Sequence, residues 1–123
     1  PRLYFLGRRA EKVLTAEGDL PTESLEPAFR QHPHVARCAI IGLGEPPRQV
    51  PALVVESRPG AHPETREARE RFEGELRGLA RVNPRASMVR HIFFQRALPV
   101  DVRHNAKIHR LQLAKEWTRR LAR

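Results

Sequence analysis

The segment PVDVRHNAKIHR (residues 99–110) contains the residue types that could do chemistry in this chain. An apolar stretch runs into a loop with one acid, two arginines, two histidines and one lysine, and a helical pattern follows. Lys107 precedes Ile108, whose side chain can anchor in a core while the amine points outwards. Such a loop would present one ammonium group at a fixed place. The alternative is a solvated basic connector.

Other kinds of reactive site are absent from the sequence. The six histidines (32, 34, 62, 91, 104 and 109) lack the His-x-x-Glu-His pattern and any spacing with Cys or acids that would hold a metal. The stretch GLGEPP lacks the lysine and the helix start of a phosphate-binding loop. Cys38, the one cysteine, excludes an internal disulfide and predicts a buried thiol within ARCAIIGLG. The chain therefore does not contain a complete active site.

Length and charge give wider limits. With 123 residues, the chain is long enough for one domain with a modest core. A net charge of +9 favours an anionic partner, which could be nucleic acid, an acidic membrane or a nucleotide phosphate. No apolar run reaches the length of a membrane span, and no signal-peptide pattern precedes the fold. We therefore expect a soluble, cytoplasmic protein. A start at Pro1 without Met fits a processed N-terminus or a fragment, and we favour a fragment because no ordered unit begins there.

The first half of the chain predicts a hairpin, a helix and two strands. LYFL (3–6) and KVLTA (12–16) flank a charged turn and predict a β-hairpin. A helix should start near Ser24, because Pro27 is acceptable only in a first turn, and it should end before His32 and Pro33. Glu26 then falls in the first turn, where the helix dipole favours an acid. Two apolar runs, VARCAIIGLG (35–44) and VPALVVES (50–57), predict buried strands.

The second half predicts a helix, a strand and a terminal helix. Residues 65–81 place apolar side chains on one face and interleaved Glu and Arg on the other, which is typical of an amphipathic helix. SMVRHIFFQRAL (87–98) predicts a third strand, and RLQLAKEWTRRLA (110–122) a terminal helix. The resulting fold class is α+β, with an N-terminal β-hairpin and a small three-stranded mixed or antiparallel sheet covered by two or three helices.

Three segments in this order resemble the C-terminal lid domain of the adenylate-forming superfamily, which includes acyl-CoA synthetases, luciferases and peptide-synthetase adenylation domains. LYFLGRR resembles the strand and Gly-Arg turn that begin this domain. LPTESLEPAFRQHPHVARCAIIGLG resembles its proline, Ile-Glu helix and His-Pro-x-Val strand segment. Ala106–Lys107–Ile108–His109–Arg110 resembles its final Gly-Lys-Ile-x-Arg motif. The resemblance covers essentially the whole chain.

This resemblance implies a fold and a role. Residues 1–123 would be the lid domain, and a large N-terminal domain of the same polypeptide, absent from this chain, would bind ATP, Mg²⁺ and the acyl substrate. Lys107 would be the catalytic residue for joining a carboxylate to ATP, while Arg8, Arg103, His104 and Asn105 would touch the nucleotide or shape the loop. The hinge acid that usually follows Gly-Arg is displaced, with Ala10 in its place and Glu11 next to it. The isolated piece should be inactive.

Within the superfamily, VDVRHNAKI (100–108), KVLTAEG and Gln31–His32–Pro33 resemble the β-lactone synthetases of olefin biosynthesis. That resemblance implies a 2-alkyl-3-hydroxy fatty acid as substrate, a β-lactone as product, and other olefin-biosynthesis enzymes as candidate partners. His104 could act as a base for the 3-hydroxyl group. One alternative is the lid of an acyl-CoA or acyl-carrier ligase.

The other alternative is a basic nucleic-acid-binding module. Arg8–Arg9 and Arg119–Arg120 could contact phosphates, and such a protein should bind with a steep dependence on salt. We expect no nucleic-acid partner, because the basic residues are scattered over every predicted element and no exposed aromatic residues for base stacking are evident.

Overall fold

The computed structural model describes residues 12–101, 107–108 and 110–121. The helices in this part are α1 (Thr22–Arg30), α2 (Arg66–Ala80) and α3 (Arg110–Leu121). The strands are β1 (Lys12–Thr15), β2 (Gly18–Pro21), β3 (Val35–Leu43), β4 (Val50–Ser57), β5 (His91–Gln95), β6 (Val100–Asp101) and β7 (Lys107–Ile108). The predicted α+β class is confirmed, and none of these helices combines the length and hydropathy that a membrane span requires.

A three-stranded mixed sheet lies at the centre, in the order β3-β4-β5. The two strands predicted from the apolar runs, β3 and β4, pair antiparallel, while β5 pairs parallel with β4. The parallel pair needs a crossover connection, and α2 lies within it. The sheet is therefore mixed, which is one of the two arrangements predicted.

Side chains of the sheet alternate between two cores. Ile40 and Leu53 face a core built with α1, α2 and the β1-β2 hairpin, whereas Ile41 and Val54 face a second core built with α3. Successive residues of a strand point to opposite faces, so one sheet serves both cores. Covered on both faces, β3 and β4 are nearly continuous apolar runs and show no polar-apolar alternation.

Strand β1 forms a hairpin with β2, and the predicted pairing of residues 12–16 with residues 3–6 stays a prediction. β1 pairs with β2, so that Val13 lies opposite Leu20 and both side chains are buried, while residues 3–6 lie outside the described residues. The turn is closed by Thr15, whose Oγ1 donates to the carbonyl oxygen of Gly18 at 2.7 Å and accepts from the N–H of Glu17 at 3.1 Å. Gly18 has φ +121°, a conformation that glycine adopts readily.

Helix α1 begins earlier than predicted. It starts at Thr22, which places Pro27 inside the helix and Glu23, in place of Glu26, in the first turn. One proline removes a single N–H donor, and the helix persists because its buried face continues on both sides of Pro27. That face consists of Thr22, Leu25, Glu26 and Phe29. The helix ends at Arg30, before His32 and Pro33 as predicted.

The strand predicted over residues 87–98 is shorter in the structure. A 3₁₀ turn (Ala86–Met88) takes its first two residues, and β5 covers only His91–Gln95. Side-chain hydrogen bonds favour the turn: Asn83 Oδ1 accepts from the N–H of Arg85, and Ser87 Oγ donates to the carbonyl oxygen of Pro84. Short polar side chains compete in this way with strand pairing.

Candidate functional site

Lys107 lies in a short ladder of two strands. β7 pairs antiparallel with β6, so that Lys107 lies opposite Asp101 and Ile108 lies opposite Val100. A loop was predicted for the whole segment, and this is wrong for the residues of β6 and β7. A strand of two residues is too short to show the alternation of apolar and polar residues that identifies a strand in a sequence. The side chain of Lys107 lies outside the described part of the chain, so the position of its amine stays a prediction.

Ile108 anchors this ladder in the second core. Its side chain is half-buried and packs against the cluster that contains Leu98 and Leu113, both nearly inaccessible to solvent. Leu98 precedes β6 and Leu113 belongs to α3, so the core holds the chain on both sides of the Lys107 segment. The predicted anchoring role of Ile108 is confirmed.

Arg110, three residues after Lys107, forms a buried ion pair with Glu26. Its Nη2 donates to Glu26 Oε1 at 2.5 Å, and its Nε donates to Glu26 Oε2 at 3.1 Å. The side chain of Glu26 is 1% exposed and that of Arg110 is 12% exposed. Arginine suits this contact because its planar guanidinium can donate two parallel hydrogen bonds to one carboxylate.

The ion pair joins three elements of the fold. Glu26 lies in α1, Arg110 opens α3, and Glu26 Oε2 also accepts from the N–H of Ile40 in β3 at 2.8 Å. Glu23 adds a second, exposed carboxylate, whose Oε1 lies 3.8 Å from Arg110 Nη1. The start of α3 is thereby fixed to α1 and to the central sheet.

Sequence reasoning missed this pairing, although a signal for it was present. Glu26 falls between Leu25 and Phe29 on the apolar face of α1. An acid on that face must be buried, and a buried carboxylate needs a cation or several donors. The sequence alone could not identify which of the 23 basic residues supplies the cation.

Four further predicted site residues, Arg8, Arg103, His104 and Asn105, lie outside the described residues, as do both hinge candidates, Ala10 and Glu11. Their roles stay predictions. The described part of the loop consists of its two ends, β6 and β7, which are hydrogen-bonded to each other.

Metal ligation and thiol chemistry are two other kinds of reactivity that the described residues bear on. Within residues 12–101 and 110–121, no three His, Cys, Asp or Glu side chains are grouped so that they could hold a metal ion. Cys38 is buried, and burial, reinforced by the negative charge of Glu26, raises the pKa of its thiol to about 12. A thiol in that state is not a nucleophile at neutral pH.

Two curated proteins are similar to the chain in sequence, whereas no protein-family model matches it. The olefin β-lactone synthetase of Xanthomonas campestris pv. campestris is 42% identical over 113 residues, which are 92% of this chain and 20% of that protein. The olefin β-lactone synthetase of Stenotrophomonas maltophilia is 42% identical over 115 residues, again 92% of this chain and 20% of that protein. The chain thus spans about one fifth of the length of these relatives.

Solved structures of adenylate-forming enzymes share the fold. The anthranilate CoA ligase AuaEII in complex with anthranoyl-AMP superposes with a TM-score of 0.75 at 20% identity, over 94% of this chain and 21% of that one. The acyl-CoA synthetase of Brucella canis superposes with a TM-score of 0.68 at 28% identity, over 92% of this chain and 20% of that one. The chain therefore shares the fold of the C-terminal domain of adenylate-forming enzymes and is similar in sequence to olefin β-lactone synthetases.

Proposed function

We propose that the chain is the lid domain of an ATP-dependent, AMP-forming ligase that makes a β-lactone. The observation that carries this proposal is the 42% identity, over 92% of the chain, to two olefin β-lactone synthetases. The substrate would be a 2-alkyl-3-hydroxy fatty acid. The preceding domain of the same polypeptide would hold this acid, ATP and Mg²⁺.

Lys107 would act in the first half-reaction. A carboxylate oxygen of the substrate forms a bond to the α-phosphorus of ATP, the bond to pyrophosphate breaks, and an acyl-adenylate results. Both reactants are anions, and negative charge builds up on the α-phosphate in the transition state. An ammonium held between the carboxylate and the α-phosphate compensates both. A compact ammonium on a flexible stem suits a narrow gap better than a planar guanidinium.

The second half-reaction closes the ring. The 3-hydroxyl oxygen forms a bond to the acyl carbon, the bond from that carbon to the AMP oxygen breaks, and the hydroxyl proton is lost. Since the nucleophile belongs to the substrate itself, this step needs no separate acyl acceptor such as CoA. His104 is the candidate base for the proton. An intramolecular nucleophile also gains the large rate advantage of a reaction within one molecule.

The role of Lys107 can be tested in the full-length enzyme that contains this chain. Lys107→Ala should lower ATP–pyrophosphate exchange with a 3-hydroxy acid about 100-fold, or about 3 kcal/mol, comparable with the loss of one oxyanion donor. Lys115→Ala is the matched control, because Lys115 is an exposed lysine of α3, and it should exchange at the normal rate. Near-normal exchange by Lys107→Ala would contradict the assignment.

The product tests the reaction class. Full-length enzyme is incubated with ATP, a 2-alkyl-3-hydroxy fatty acid and CoA, and the products are identified by mass. We expect the β-lactone and AMP, with the same yield when CoA is left out. Formation of the acyl-CoA thioester in place of the lactone would support the alternative, an acyl-CoA ligase. The observation in favour of that alternative is the 28% identity to the Brucella canis acyl-CoA synthetase.

A further inference from the structure

We infer that Glu26 and Arg110 are positioning residues for Lys107. Their ion pair fixes the chain immediately after Lys107, and so sets where the ammonium of Lys107 is delivered. This inference rests on the proposed function of Lys107. It adds a role for two residues that would touch neither ATP nor the acyl substrate.

The connection between the ion pair and Lys107 is short. Three residues of extended chain cover at most about 10 Å, so the Cα atoms of Lys107 and Arg110 are no farther apart than that. Between them, Ile108 is held by the second core. The other flank of Lys107 leads to residues 102–106, and the ladder to Asp101 is only two residue pairs long. Among the described residues on the C-terminal side, Arg110 is thus the nearest with a strong polar tie to the rest of the fold.

The anchor is stiff because its partners come from the centre of the domain. Among the described residues, three hydrogen bonds reach the carboxylate of Glu26, two from Arg110 and one from the N–H of Ile40. Ile40 is fully buried and lies opposite Leu53 in the central sheet. A shift at the start of α3 would break charged hydrogen bonds in a buried site, which is costly. Catalysis by a positioned ammonium is sensitive to the place of that group, since a displacement of about 1 Å can lower the rate about 100-fold.

The test combines substitutions in the full-length enzyme. Arg110→Gln, which removes the paired hydrogen bonds to Glu26, should lower kcat for ATP–pyrophosphate exchange about 10- to 100-fold, with KM for ATP changed less than about twofold. In a Lys107→Ala background, the same substitution should change the remaining rate by less than about twofold. A pair that acts only through Lys107 has nothing left to position once that amine is gone.

Arg77→Gln is the matched control. Arg77 donates to Glu73 and to the carbonyl oxygens of Val89 and Arg90, so it too ties a helix to a neighbouring segment, but it lies in α2. Its loss should lower the temperature of unfolding and leave exchange by folded enzyme unchanged. Should Arg110→Gln fail to fold, Glu26→Gln is measured in the same two backgrounds, because its amide oxygen can still accept from Ile40.

The possible results separate the inference from the function on which it rests. Equal rate losses with and without Lys107 would overturn the positioning role, since a pair that only supports the fold would act in both backgrounds. A normal rate for Arg110→Gln would overturn it as well. Near-normal exchange by Lys107→Ala alone would instead remove the proposed role of Lys107, and the positioning role with it.

Discussion

Removal of the Arg110 guanidinium should destabilise the domain far more than removal of an exposed one. Arg110→Met retains an apolar side chain of similar length and deletes the charge. The carboxylate of Glu26, which is 1% exposed, would keep one of the three hydrogen bonds that the described residues donate to it, the one from Ile40. An uncompensated carboxylate would then be left inside the fold.

The expected cost is about 3–5 kcal/mol, which is typical when one partner of a buried ion pair is removed. Total stabilities of single domains are about 5–15 kcal/mol, so this is a large fraction. The matched control is Arg66→Met. Arg66 pairs with Glu70 at 3.2 Å, but the two side chains are 86% and 68% exposed, and this loss should cost less than about 1 kcal/mol.

Urea unfolding of the chain provides the measurement. Trp117 is the one tryptophan, and its ring stacks on Phe93 with the ring centroids 4.1 Å apart, so its fluorescence reports the packing of α3. Circular dichroism should give the same midpoint. Combining Arg110→Met with Glu26→Gln should recover part of the loss, because both charges are removed while the amide oxygen can still accept from Ile40. If Arg110→Met costs no more than Arg66→Met, the reasoning about burial is refuted.

Two further predictions concern glycine and cysteine positions. A Cβ at Gly42 would come within 2.6 Å of the Gln49 side chain, whose Oε1 accepts from the N–H of Leu14, so Gly42→Ala should lower the free energy of unfolding by about 1 kcal/mol. Gly74→Ala, where a Cβ meets nothing within 4 Å in a helix, should raise it by about 0.5–1 kcal/mol; urea midpoints would show whether the two substitutions differ in sign. The Cys38 thiol has a pKa of about 12 when folded and 9.0 ordinarily, so it ionises first in the unfolded chain, and stability should fall as pH rises from about 9 towards 12. That fall should be smaller in Cys38→Ala, and an equal fall in both proteins would show that Cys38 is not its cause.

Much of the fold could be predicted from local patterns. Strands β3 and β4 agree with the predicted runs to within a residue at each end, because long apolar stretches bounded by Gly and Pro have few alternatives. Helices α2 and α3 also lie where periodicity indicated. The errors fall where a local rule competes with packing. Pro27 suggested a later helix start, but the buried face of α1 outweighs one missing hydrogen bond.

The candidate site was likewise predictable only where it depends on residues close together in the chain. The loop pattern suggested Lys107 with Ile108 as its apolar anchor, and the resemblance of residues 106–110 to the Gly-Lys-Ile-x-Arg motif implied the catalytic role, since both depend on residues adjacent in the chain. The tie between Glu26 and Arg110 joins residues 84 positions apart, and no short-range pattern contains that information. Whether the buried acid of α1 meets Arg110 or another cation is decided by how α1, β3 and α3 pack together. The sequence by itself therefore indicated the candidate amine and the elements around its segment. The tertiary structure decided that Glu26 and Arg110 fix the start of α3, because burial and ion pairing depend on distances between segments remote in the chain.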